Sequence, residues 1–64
     1  MINMEKAKFN IGQTILWNDK PGKVEARKYY PVSQKWYYDI NYRSDVDGST
    51  RKAKVQPERS LTGV

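Results

Sequence analysis

Trp36-Tyr37-Tyr38-Asp39-Ile40-Asn41-Tyr42 is the most strongly patterned run in the chain. Its large residues fall at every second position: Trp36, Tyr38, Ile40 and Tyr42 alternate with Tyr37, Asp39 and Asn41. Side chains along a strand point to opposite faces in turn. The pattern therefore predicts a half-buried β-strand with the four large residues on the core face. A helix through the same region would have to contain Pro31 and would scatter these aromatics around its circumference.

Turn signals and further β-patterned runs extend outward from this strand. Residues 23–30 form a second run, with Val24 and Ala26 expected on one face and Glu25 and Arg27 on the other. Thr14–Trp17 is a first run, entered through residues 9–13. Between them, Asn18-Asp19-Lys20-Pro21-Gly22 reads as a turn, with Pro-Gly as its type II core. Residues 31–35 break the second run from the third. Residues 43–49 form a polar loop that turns at Asp47-Gly48. Residues 50–56 make a fourth run, with Ala53 and Val55 expected inward and Lys52 and Lys54 outward. Pro57-Glu58-Arg59-Ser60-Leu61 suits a single helical turn, with proline where its missing N–H costs little. Thr62-Gly63-Val64 is expected as a short closing strand. Short strands at this spacing predict an all-β protein. Its expected form is a single five-stranded SH3-like barrel over residues 9–64, with a short helical turn before the last strand. Residues 1–8 are expected as a flexible N-terminal arm.

The order of these signals resembles that of Tudor-like and KOW-like small SH3-like barrels. The likeness is carried by Ile11-Gly12-Gln13, Ile15 and Trp17, and Pro21-Gly22-Lys23-Val24. It continues in the alternation Trp36, Tyr38, Ile40, Tyr42, then Asp47-Gly48, then Val55 with residues 57–61. It spans roughly residues 9–61. The resemblance implies a barrel that binds nucleic acid, peptides, modified side chains or other proteins, and rarely an enzyme. Folds of this size host many unrelated activities, so the resemblance speaks to architecture more than to function.

Composition narrows the chemistry. A chain of 64 residues buries only about 60% of its unfolded surface. Its two Trp, five Tyr and one Phe must supply much of the core. There is no Cys and no His. Disulfides, thiolate zinc sites, cysteine nucleophiles and imidazole bases are thereby excluded. The seven acidic residues are scattered and no serine lies in a nucleophile motif, so the expectation is a binding protein without cofactor or metal, not an enzyme. No apolar segment is long enough to span a membrane. The first ten residues carry Glu5, Lys6 and Lys8 and lack a signal-peptide core, so the expected location is the cytoplasm.

Twelve Lys and Arg stand against seven Asp and Glu, a net charge of +5. This excess favours an acidic partner, either nucleic acid or an acidic protein surface. The expected contacts are Lys23, Arg27 and Lys28 on the second run and Arg51, Lys52 and Lys54 on the fourth. The same charges would also serve a solvated face, with Glu25 and Asp39 as ion-pair partners. Tyr29 and Tyr30 are adjacent, as are Trp36 and Tyr37, so one of each pair should face solvent. Tyr29, Tyr30 and Tyr37 are the candidates for stacking on bases, whereas Trp36, Tyr38 and Tyr42 are assigned to the core. An aromatic cage for a methylated cation, with Asp39 or Asp45 as its acid, is disfavoured by the net charge. The loop Asp45-Val46-Asp47-Gly48 lacks the later ligands of a calcium site and reads as a turn. Nucleic-acid binding by a monomer or homodimer is the favoured reading. The alternative is a protein-interaction module, such as an adaptor or a small phage- or mobile-element-encoded inhibitor of a host protein.

Overall fold

The alternating stretch forms the centre of β3, Lys35–Arg43, in a computed structural model that describes residues 6–64. β3 is flanked by β2, Lys20–Tyr30, and by β4, Thr50–Pro57. β1, Thr14–Trp17, and β5, Leu61–Gly63, complete one antiparallel sheet in the order β4-β3-β2-β1-β5. A single 3₁₀ turn, Glu58–Ser60, connects β4 to β5, with Pro57 at its N-cap. The all-β class, the five strands and the turn before the last strand are as the sequence predicts. The expected barrel is not closed: β4 and β5 are the free edges of an open sheet. The 3₁₀ turn carries the chain away from β4, and the three residues of β5 pair with β1 instead.

The predicted Pro-Gly turn is also corrected. The β1–β2 turn consists of Asn18 and Asp19, with φ of 50° and 64°. Both lie in the left-handed region that a tight hairpin turn requires, and Asn and Asp tolerate it. Pro21 and Gly22 belong to β2, opposite Leu16 and Ile15. Gly22 is demanded by close approach. A Cβ there would lie 2.8 Å from the Asn41 carbonyl oxygen and 2.9 Å from Ile40 Cγ2.

Two bulges shape the sheet at the same level. Between Val24 and Ala26, β2 carries one residue more than β3. Between Ala53 and Gln56, β4 does the same against β3. Extra residues on both neighbours of one strand bend the sheet around it and increase its local twist. They also invert strand phase, and the sequence pattern does not anticipate this. Beyond Glu25, Arg27 and Tyr29 share the inner face with Tyr38 and Trp36, while Ala26 lies on the outer face. Val55, expected inward, is 53% exposed and has φ of 56°, an unusual backbone state for a β-branched residue. The Asp39 carboxylate steadies this kink by accepting the Val55 N–H at 2.9 Å.

The core lies on the inner face. Ile15, Val24, Tyr38 and Ile40 are fully buried, and Phe9, Ala53 and Leu61 join them. Phe9 meets Tyr38 edge-on, with ring centroids 5.6 Å apart. Ala7, Trp17 and Trp36 pack around this cluster. Of the expected N-terminal arm, residues 1–5 lie outside the described residues, and the Lys8 N–H donates to Glu58 at 3.1 Å. No helix among the described residues is long and apolar enough to cross a membrane.

Candidate functional site

Register assigns every sequence-predicted contact to one face or the other. On the outer face, β2 contributes Lys23, Lys28 and Tyr30, β3 contributes Tyr37, and β4 contributes Lys52, with Lys54 beside it at the bulge. Arg27, Tyr29 and Arg51 fall on the inner side, opposite Tyr38, Trp36 and Tyr42.

Each of these inner residues is engaged within the chain. Arg27 Nη1 donates to the Phe9 carbonyl at 2.9 Å and to Asn10 Oδ1 at 3.2 Å. Its guanidinium also lies 5.6 Å from the centre of the Trp36 ring. Arg27 thus clamps the segment entering β1 onto the sheet. Tyr29 packs against Trp36 at 5.4 Å. Arg51 reaches back to Asp47 at 3.4 Å. Asp47 itself accepts from the Ser49 hydroxyl at 2.7 Å and from the Ser49 N–H at 3.0 Å, which holds its carboxyl below the usual range. The Asp45–Gly48 loop is closed by its own hydrogen bonds, and no cluster of metal-ligating side chains occurs among the described residues.

The aromatics assigned to the core divide by depth. Tyr38 is fully buried, and its hydroxyl donates to Glu58. Burial, reinforced by that hydrogen bond, pushes the phenol up to about 12. Trp36 and Tyr42 are half-buried, and Tyr42 rests against Trp17 at 4.8 Å.

The outer face exchanges two cations of the sequence-predicted set, Arg27 and Arg51, for two others. Lys35 and Arg43, at the two ends of β3, share the strand phase of Tyr37, Asp39 and Asn41. The period-two pattern reaches both, but each stands next to a turn signal and reads as loop. Six cations therefore lie on this face: Lys23, Lys28, Lys35, Arg43, Lys52 and Lys54. Glu25 and Asp39 are its two carboxylates, which leaves an excess of four out of the chain's five. Glu25 is engaged by Lys52 at 3.0 Å. Lys23, Lys28, Lys35, Arg43 and Lys54 have no ion-pair partner among the described residues.

Two shallow depressions lie along the same face. One, of about 320 Å³, is bordered by Ala26, Arg27, Lys28, Tyr30, Tyr37, Asp39 and Val55. Tyr30 and Tyr37 meet there nearly at right angles, 77° with centroids 4.8 Å apart. Lys28 Nζ lies 5.5 Å from the Tyr30 ring centre, so that ring already receives a cation from within the chain. The other depression, of about 290 Å³, is bordered by Thr14, Lys23, Asn41, Arg43 and Thr50. Asn41 sits in the row between Lys23 and Lys52, and its buried Oδ1 has no hydrogen-bond partner.

Comparison with protein-family models, curated proteins and solved structures finds no match to this chain.

Proposed function

We propose that the protein binds nucleic acid along the outer face of β2, β3 and β4. The observation that carries this reading is the segregation of charge. Nearly all of the net positive charge lies on one side of the sheet, around a half-buried pair of tyrosines. Lysine and arginine neutralise phosphates and release their counterions, which supplies sequence-independent affinity. Tyrosine rings add base stacking, worth about 1–3 kcal/mol per base. Lys23, Lys28, Tyr30, Tyr37, Lys52 and Lys54 are the contacts, with Lys35 and Arg43 added to them. Arg27, Tyr29 and Arg51 act in the fold.

The free β4 edge favours this reading over recruitment of a protein by strand addition. Its bulge, its run of Arg51, Lys52 and Lys54, and its terminal Pro57 are features that block edge-to-edge pairing.

Titration of a labelled oligonucleotide at increasing salt tests the proposal. The expected result is binding at low salt whose logarithmic affinity falls linearly with the logarithm of salt concentration. Chemical-shift changes are expected at Lys23, Lys28, Tyr37 and Lys52, and not at Tyr29 or Arg51. Absence of binding to both DNA and RNA at low salt overturns it.

A further inference from the structure

Asp39 is out of place on a phosphate-binding face. It is the one carboxylate there without a cationic partner among the described residues, since Glu25 is held by Lys52. A free carboxylate beside a phosphate track repels the backbone it borders. Yet this one stands in the depression formed by Tyr30, Tyr37, Lys28 and Val55. Its Oδ1 accepts the Val55 N–H at 2.9 Å, which fixes the group's orientation. Its Oδ2 has no hydrogen-bond partner among the described residues.

From this placement we infer that the depression receives a single unpaired guanine, with Asp39 reading its pairing edge. The inference rests on the nucleic-acid reading above and adds a base specificity to it. The two tyrosines form a right-angled corner, so a base stacked on one ring meets the other at its edge. A base held there turns its hydrogen-bonding edge toward Asp39, and a carboxylate only accepts. Guanine alone places two donors side by side on that edge, N1–H and the N2 amino group. Adenine and cytosine pair their amino group with a ring-nitrogen acceptor, and uracil and thymine flank N3–H with two carbonyls. Each of those sets a lone pair against the carboxylate. Lys28, at the rim, stands ready for the adjoining phosphate. In a duplex the same guanine edge is already bonded to cytosine, so the site selects a base that is out of the helix.

Fluorescence anisotropy on a labelled oligothymidine tests this, with one central nucleotide varied among guanine, inosine, adenine and cytosine. The wild-type protein is expected to bind the guanine probe about tenfold more tightly than the adenine or cytosine probe. Inosine, which lacks the N2 amino group, is expected to lose most of that gain. Pairing the guanine in a duplex is expected to erase it. Asp39→Asn keeps an oxygen to accept the Val55 N–H and replaces the second acceptor by a donor. It is expected to abolish the guanine preference while binding the all-thymidine probe at least as tightly. Equal affinity for all four probes, a preference that survives pairing, or a preference that survives in Asp39→Asn overturns the inference and leaves nucleic-acid binding standing. Failure at low salt of every probe, and of the same series made as RNA, overturns both. The inosine comparison uses only the wild-type protein, so it decides the matter even where the variant does not fold.

Discussion

Tyr38 joins the core to its polar rim within one side chain. Its ring is fully buried against Phe9, and its hydroxyl donates to Glu58, which also accepts the Lys8 N–H. A buried phenol must stay protonated to keep that bond, and its pKa is pushed up from 10.0 to about 12. The sign of the linkage follows. Between pH 10 and pH 12 the unfolded chain releases the Tyr38 proton while the folded chain retains it. Stability from this group is therefore complete below pH 10 and is lost as pH climbs toward 12. Tyr38→Phe is expected to cost about 1–2 kcal/mol at neutral pH through the lost hydrogen bond. It is also expected to flatten the alkaline decline. Denaturant midpoints of both proteins across the alkaline range check this, because lysine deprotonation affects the two alike. Parallel curves would show that the hydroxyl contributes nothing to the pH dependence. The sequence assigned Tyr38 to the core from its place in the alternation. Its partner stayed hidden, because Glu58 lies 20 residues away on the 3₁₀ turn.

At the scale of elements, pattern was legible wherever strands pair residue for residue and illegible wherever they do not. β3 carries no extra residue, so the inward set Trp36, Tyr38, Ile40 and Tyr42 was readable directly. β2 and β4 each carry a bulge, and both phase errors begin there: Ala26 with Arg27 on one strand, Val55 on the other. A bulge has no strong local signature when the extra residue is neither Gly nor Pro, as with Glu25. The β1–β2 turn failed for a different reason. Pro21-Gly22 is a strong turn signal, but Gly22 is needed for contact and not for curvature. Gly22→Ala tests that distinction. Its new methyl group would meet backbone and a packed isoleucine at 2.8 and 2.9 Å, neither the free end of a flexible chain. The expected cost is about 1–3 kcal/mol, the usual range for overpacking. It is read as a lower unfolding midpoint with an unchanged m-value. A neutral substitution would show that β2 and β3 separate easily at this level, contrary to their tight pairing.

For the molecule as a whole, composition announced the charge and only topology gave it a side. Twelve cations among 64 residues are compatible with an evenly basic surface or with a single basic face. The bulges and the register decide for the face, by turning Arg27 inward and aligning Lys35 and Arg43 with Lys23, Lys28 and Lys52. That separation makes a quantitative claim about binding. Each phosphate contact removed from a single strand lowers the salt slope by about 0.7. Lys23→Gln with Lys28→Gln is therefore expected to reduce the slope by about 1.4. Lys20→Gln with Arg59→Gln removes the same formal charge elsewhere. Lys20 lies on the inner side, over Tyr42 and beside Asp45, and Arg59 lies on the 3₁₀ turn. This second pair is expected to leave the slope where it was, since the slope counts the phosphates contacted and neither residue is among the proposed contacts. Affinities measured over a series of salt concentrations separate the two cases. Equal loss of slope in both double variants would mean that the protein attracts nucleic acid through its net charge alone, and that the outer face has no privileged role.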